Sequence, residues 1–251
     1  MQMIKVLYTG DEVILVTTYV KGMNSWTDGV VHGEAGHMLK ALRSDPEIEV
    51  DYIPTSKAQR EFPSDFSKYD VVIYSDVGTD TIIMYEDRFL NCPMGKSRLG
   101  ALKEFVKGGG GLAGIGGWVS FGGMYGQAKW HNTPLEEVLP VTCHPWDDRV
   151  ELSEGMTPKI LKPDHPIMKG IDWANAPILF SGYNEVEMKP DGELLAEYNG
   201  DPIVVVGKYG KGRTMVLASD CAPHWGRGFV DWEGSKKFSI NTVKWLACKN
   251  G

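Results

Sequence analysis

The chain holds only four cysteines, Cys92, Cys143, Cys221 and Cys248, in 251 residues. No two of them form a C-x-x-C pair or stand at zinc-ligand spacing, so a structural zinc site and a disulfide framework are both excluded. Reduced thiols in the cytosol are the simplest account. No run of five basic residues occurs, and the net charge is −7. Such a chain has no electrostatic footprint for nucleic acid or an anionic membrane, and neither is expected as a partner. No apolar segment approaches the roughly 20 residues that cross a bilayer. Met1-Gln2-Met3-Ile4-Lys5-Val6-Leu7-Tyr8 enters a strand-like run at once, without the regions of a secretory leader, and a cytoplasmic protein is expected. The pattern G-x-x-x-x-G-K-[ST] is missing, and Gly114-x-Gly116-Gly117 lacks the third glycine of a dinucleotide fingerprint. His32 and His37 stand five apart, a poor spacing for two ligands on one helix face. Neither a metal nor a cofactor is expected.

What is present is an ordinary globular composition, 42% apolar and 24% charged. Ile4–Tyr8, Ile48–Ile53, Val71–Ser75 and Gly111–Ile115 are short apolar runs. Between them Ala35, Met38, Leu39 and Leu42 repeat at i, i+3, i+4 and i+7, one face of a helix stopped by Asp45-Pro46. Ser97 predicts the cap of a second helix, buried through Leu99, Leu102, Phe105 and Val106 and ended at Lys107-Gly108. Near-continuously apolar strands joined by helices imply α/β architecture with a mostly parallel sheet covered on both faces. From about residue 150 to 217 the pattern turns β-rich. Leu194–Tyr198, Ile203–Lys208 and Arg213–Leu217 alternate with Pro190-Asp191-Gly192 and Tyr209-Gly210-Lys211-Gly212, predicting an antiparallel portion of the sheet. Ser235–Cys248 predicts a closing helix. With no linker and no repeat, residues 1–251 are expected to form one domain. No exposed apolar stripe is recognisable, and homo-oligomerisation is expected from the protein class alone.

Ligands bind such sheets at the carboxyl ends of the strands, which selects four loops. The first, Thr9–Gly33, holds Asp11, Trp26 and His32, with Glu34 just beyond it. The second is Ser75-Asp76-Val77-Gly78, and the third runs from Gly116 to Gly123 with Gly117, Trp118, Ser120 and Phe121. The fourth runs from Ser219 to Gly226 with Asp220, Cys221, His224 and Trp225. Asp11, Asp76 and Asp220 with Trp26, Trp118, Phe121 and Trp225 suit a polyhydroxylated small molecule, whose hydroxyls need carboxylates and whose ring carbons need flat apolar faces. Gly116, Gly117 and Ser120 would form the backbone edge of that site. Glu34, His224 and Asp220 are the acid–base candidates. Each has a plain alternative. Asp11 and Asp76 can be turn residues, Glu34 is favoured at a helix start, the aromatic residues can be core, and Cys221 can be a small buried group.

The stretch Gly109-Gly110-Gly111-Leu112-Ala113-Gly114-Ile115-Gly116-Gly117 resembles the glycine-rich strand and nucleophile elbow, G-x-C-x-G, of class I glutamine amidotransferases. Ile115–Phe121, Asp147-Asp148-Arg149-Val150-Glu151, Asp164-His165-Pro166-Ile167 and Ser219–Trp225 resemble the amidotransferase-like family of bacterial cytoplasmic proteins. His165-Pro166-Ile167-Met168-Lys169-Gly170 is similar to trehalose-utilisation (ThuA-like) proteins. The resemblance implies a flavodoxin-like three-layer sandwich. In the parent family an elbow cysteine attacks glutamine with a histidine that a glutamate orients. Here the elbow falls on Gly116, and Pro223-His224-Trp225 stands where His-Pro-Glu would be. Glutamine hydrolysis by that route is not expected.

Overall fold

A computed structural model describes residues 3–248. In chain order its elements begin β1 (Ile4–Gly10), β2 (Glu12–Lys21), β3 (Asn24–Gly33), α1 (Gly36–Arg43), β4 (Ile48–Ile53), α2 (Thr55–Glu61), β5 (Val71–Ser75), α3 (Thr79–Ile83), α4 (Arg88–Asn91), α5 (Arg98–Gly108) and β6 (Gly111–Ile115). They continue with α6 (Pro134–Val138), β7 (Val141–Cys143), β8 (Arg149–Met156), β9 (Lys159–Ile160), β10 (Phe180–Asn184), β11 (Val186–Met188), β12 (Glu193–Tyr198), β13 (Asp201–Tyr209), β14 (Gly212–Leu217), α7 (Pro223–Asp231) and α8 (Gly234–Leu246).

Eight strands form one sheet in the order β4-β1-β5-β6-β14-β13-β12-β9. The pairs from β4 through β14 are parallel, and those from β14 through β9 are antiparallel. The sheet is flavodoxin-like in its parallel half, with the antiparallel strands added beyond β14. Alternation along β1 shows why its run is apolar at every position from Ile4 to Tyr8 except the exposed Lys5. Ile4, Val6 and Tyr8 enter a core shared with α1 and α8, while Leu7 enters the opposite core with α2, α5 and α6. A strand covered on both faces cannot alternate polar with apolar residues.

Local signals set the helix ends. The Ser97 hydroxyl accepts from the Gly100 amide at 3.0 Å, and Gly109 ends α5 at φ 126°, a conformation glycine adopts without steric cost. Thr133 caps α6, and Glu136 returns a carboxylate to the Asn132 amide at 2.6 Å.

Thr9–Gly33, expected as a loop, contains a ten-residue by ten-residue hairpin, β2–β3, paired from Glu12↔Gly33 to Lys21↔Asn24. Val13–Val16 is a β-branched-rich run, and Gly22, at φ 63°, occupies the first position of the two-residue turn Gly22-Met23. Gly-X is a hairpin signal that the sequence carries openly. Among the described residues, no helix is long and apolar enough to cross a membrane.

Candidate functional site

The parallel strands end level. Gly10 of β1 lies beside Ser75 of β5, Ser75 beside Ile115 of β6, and Ile115 beside Leu217 of β14. The four loops selected from the sequence therefore leave the sheet along one line. The chain moves from β1 outward to β4 and then back to β5 on the other side, so the gap between β1 and β5 is the topological switch point. The next residues, Asp11 and Asp76, are both left-handed, at φ 48° and 39°. Non-glycine residues rarely hold that conformation, and short Asp side chains are among those that tolerate it best. Gly10 is required at its position: at φ 115°, a Cβ would sit 1.5 Å from the Ser75 carbonyl oxygen.

Four carboxyl groups and one imidazole converge there. Asp11 is fully buried and accepts from the Tyr8 hydroxyl, from Ser75 Oγ at 2.9 Å and from Cys221 Sγ at 3.6 Å. Burial, then the neighbouring Asp220 charge, pushes its carboxyl up to about 8. Asp76 Oδ1 accepts from the Val119 amide at 2.5 Å. Burial and Asp220 push this carboxyl up to about 7, against the opposing pull of His224. Asp220 is also fully buried and accepts from the Ala222 amide at 2.7 Å. Its carboxyl is raised by burial, with His224 opposing.

His224 stands in the first turn of α7, where Pro223 opens the helix. Its Nδ1 lies 3.0 Å from Asp220 Oδ2 and 3.5 Å from Glu34 Oε2. Asp220 Oδ2 is too poorly aligned to accept a hydrogen bond, so its contact with the imidazole is an ion pair. Burial disfavours the charged ring, but the Asp220 and Glu34 carboxylates outweigh it and push His224 up to about 11. His224 is thus an imidazolium at neutral pH. Gly226 lets this turn sit on Asp220, since a Cβ there would approach the Asp220 carbonyl oxygen to 2.3 Å. Glu34 is brought in by its backbone amide, which donates to the Asp11 carbonyl at 2.8 Å.

Glu34, Asp76 and His224 open onto a cavity of about 370 Å³, lined also by Trp118 and, from the hairpin, Leu15 and His32, with Asp11 and Asp220 buried behind them. Trp118 is 41% exposed and meets His224 edge-on at 5.3 Å between centroids. Arg149 lies 5.8 Å from the Trp118 ring centroid. The loop carrying Trp118 is tied down by Asp148, which accepts from the Gly122, Gly123 and Asn184 nitrogens at 2.7, 2.8 and 2.9 Å. Glu34, Asp76 and His224 each offer a ligand atom within 4.8 Å of the others, so these three could hold a cation once the His224 ring gives up its proton. Their positions in the chain give no hint of this, because three separate loops supply them.

Asp11, Asp76, Glu34, Asp220, His224 and Trp118 are therefore gathered at one place. Gly117 adjoins them at φ 145°, where a Cβ would lie 2.5 Å from the Asp76 carboxyl. Its amide donates to Asn184 Oδ1 at 3.0 Å. The others lie elsewhere. Trp26 stands on the hairpin, stacked on Tyr19, and does not line the cavity. Phe121 is fully buried against Trp130, and Ser120 donates to the Ile115 carbonyl at 2.6 Å. Trp225 is buried and donates to Glu151 Oε2 at 3.0 Å. Cys221 lies beneath the site among Tyr8, Ser75 and Asp11, and burial and the Asp11 charge push its thiol up. Sequence reasoning missed Leu15, Val119 and Tyr8. Recognising the hairpin would have signalled Leu15; nothing in the sequence signals the other two.

Residues 5–248 match the family described as "Putative glutamine amidotransferase", and the chain belongs to it. Two solved structures are similar over nearly their whole length, both cytoplasmic proteins of Salmonella typhimurium. One is 35% identical with a TM-score of 0.91, the other 36% identical with a TM-score of 0.90. Each match covers 97% of this chain and 99% of the other. A ThuA-like protein of Parabacteroides merdae shares the fold alone, at 11% identity and a TM-score of 0.56 over 98% of this chain and 90% of that one. No curated protein matches the chain.

Proposed function

We propose that this member of the family is not a glutaminase and that its strand-end cavity binds a small polyhydroxylated molecule of the carbohydrate class. The carrying observation is the pairing of Trp118, an open aromatic face, with Glu34, Asp76 and His224 on one cavity wall. Carboxylates accept from sugar hydroxyls, an imidazolium donates to them, and the indole covers the C–H face of the ring. The fold shared with a ThuA-like protein agrees with this ligand class as an analogy of scaffold.

The elbow position supports the negative half of the reading. A Cβ on Gly116 would lie 2.7 Å from both the Ala218 carbonyl oxygen and Asn184 Oδ1, so the turn has no room for an attacking side chain. Cys221, the only cysteine beside the cluster, is buried and held in its thiol form.

A second reading rests on Asp76. A carboxyl near 7 in a partly apolar cavity is matched to proton transfer at neutral pH, with the His224 cation placed to stabilise developing negative charge. On that reading Asp76 is the acid–base group, while Glu34 and Asp220 hold the imidazolium. A melting-temperature screen against sugars, sugar acids and polyols tests binding, since a ligand of the native state raises the midpoint. The expected result is a saturable shift that His224→Ala abolishes and Trp118→Ala reduces. Turnover of the hit that disappears in Asp76→Asn, with binding retained, would select the second reading. The absence of a shift from every sugar, or ammonia release from glutamine, would refute the first.

A further inference from the structure

The β2–β3 hairpin has no role in the site beyond its root. From Val13 to Val31 its hydrogen bonds and ring contacts are internal: the β2–β3 ladder, the Thr18–Thr27 hydroxyl pair at 3.1 Å and the Tyr19–Trp26 stack. Every residue of both strands is exposed except Glu12, whose carboxylate accepts from the Ser56 amide at 2.9 Å. Ten residues per strand make the arm roughly 33 Å long. A free two-stranded ribbon is marginal in water, so an arm of this length needs a surface to rest on.

Its two faces differ. Ladder register places Val13, Leu15, Tyr19, Trp26, Val30 and His32 on one face, together with the charged Asp28 and Lys21. The root of this face walls the cavity. The opposite face presents Ile14, Val16, Val20 and Val31, with Thr18, Thr27, Ser25 and Gly29 between them and no charge beyond Glu12 at the root. Val16 is 65% exposed, Val20 75% and Val31 58%. The four large apolar side chains of this one face expose roughly 400 Å² together, a contiguous patch in the range of the largest, often functional, patch on a monomer.

We infer that the Ile14–Val16–Val20–Val31 face is a self-association surface whose occupant is the same face of a second copy of this chain. The face is neutral and β-branched, so a two-fold axis brings apolar groups onto apolar groups without opposing like charges, although the whole chain carries −7. An anionic lipid surface would instead need a basic arm, and Lys21 is its one basic residue apart from histidine. The arm also belongs to the shared fold. The matches with the two Salmonella proteins leave fewer residues uncovered than the hairpin contains. The inference is independent of the ligand reading.

Sedimentation equilibrium over a concentration series gives the test. The wild-type chain is expected to dimerise in the micromolar range, and Val16→Lys and Val20→Lys each to weaken the dimer about 100-fold with an unchanged far-ultraviolet spectrum. Because both positions are exposed, neither substitution threatens the body of the fold. Val16→Cys is expected to form an interchain disulfide under mild oxidation that the wild-type chain, with its own exposed Cys92 and Cys248, does not form. A wild-type chain monomeric at the highest concentration overturns the inference. So does a dimer whose affinity both lysine variants leave intact, or vesicle binding in place of self-association.

Discussion

The strand-end cluster and the β2–β3 arm begin one residue apart, at Asp11 and Glu12, yet follow opposite physics. In the cluster, polar groups lie deep in the fold, and Asp11, Asp76 and Asp220 are each held by defined donors, with carboxyls raised by burial. In the arm, apolar groups stand in water, and a ladder, one hydroxyl pair and one aromatic stack hold them. The comparison shows where each kind of misplaced residue leads. Charge removed from water points to chemistry inside the chain, because desolvation must be offset by specific partners. Apolar surface left in water points to another molecule.

One substitution made in both regions breaks or confirms this contrast most sharply. Gly10→Ala drives a methyl into the Ser75 carbonyl at a left-handed φ, and urea unfolding is expected to show a loss of about 3 kcal/mol or more. Gly22→Ala at the arm tip meets nothing within 4 Å, and only the φ penalty remains, about 1 kcal/mol confined to the arm. Comparable losses at the two sites would mean the arm is part of the cooperative core.

The response to pH belongs to the cluster alone. The Asp11 carboxyl is raised from 3.8 to about 8, so the folded chain keeps a proton that the unfolded chain has lost, and stability falls as pH rises between those values. His224 adds the same sign. Its stabilisation is fully present below its ordinary 6.5 and is lost as pH climbs toward about 11. Unfolding free energy should therefore drop by on the order of 7 kcal/mol from pH 5 to pH 9, with Asp11→Asn removing more than half of the slope. A stability that is level or rises over that range contradicts the electrostatics described.

Two of the exposed indoles, Trp118 and Trp26, supply a smaller effect. Trp118→Ala should weaken the ligand identified by the thermal screen about tenfold, while Trp26→Ala, off the cavity, should leave its affinity unchanged in isothermal titration. An equal loss in both would move the binding surface onto the arm. Smallest of all, Tyr19→Ala removes the cross-strand stack and should cost about 0.5–1 kcal/mol. It should appear as faster amide exchange within residues 13–31, with the melting midpoint of the body unmoved.

Much of the fold was legible in the chain. Val71–Ser75 and Gly111–Ile115 begin and end where the apolar runs do, because a strand buried on both faces has few polar residues to blur its limits. Ile48–Ile53, at the sheet edge, was legible from its alternation of buried apolar residues with exposed Glu49 and Asp51. The Ser97 cap was readable for the same local reason. Convergence of the four loops was legible too, since parallel strands must send their carboxyl ends one way. The hairpin was overlooked because a run flanked by strand-end glycine and aspartate looks like a ligand loop, despite its β-branched residues and Gly22. Trp225 and Phe121, counted as ligand platforms, are core. A loop aromatic turns inward or outward according to the packing beneath it, and sequence spacing does not record that.

The order of residues by itself determined the layered sheet, the missing thiol at Gly116 and the set of loops from which a site could be drawn, because periodicity and side-chain chemistry are local properties. Only the tertiary structure decided that Glu34, Asp76, Asp220 and His224 share one charge cluster and that Trp118 alone of the candidate rings faces the cavity. It also decided that an apolar arm stands outside the body. Distances between residues far apart in the chain, and the water excluded between them, are set when the strands align, and no shorter stretch contains them.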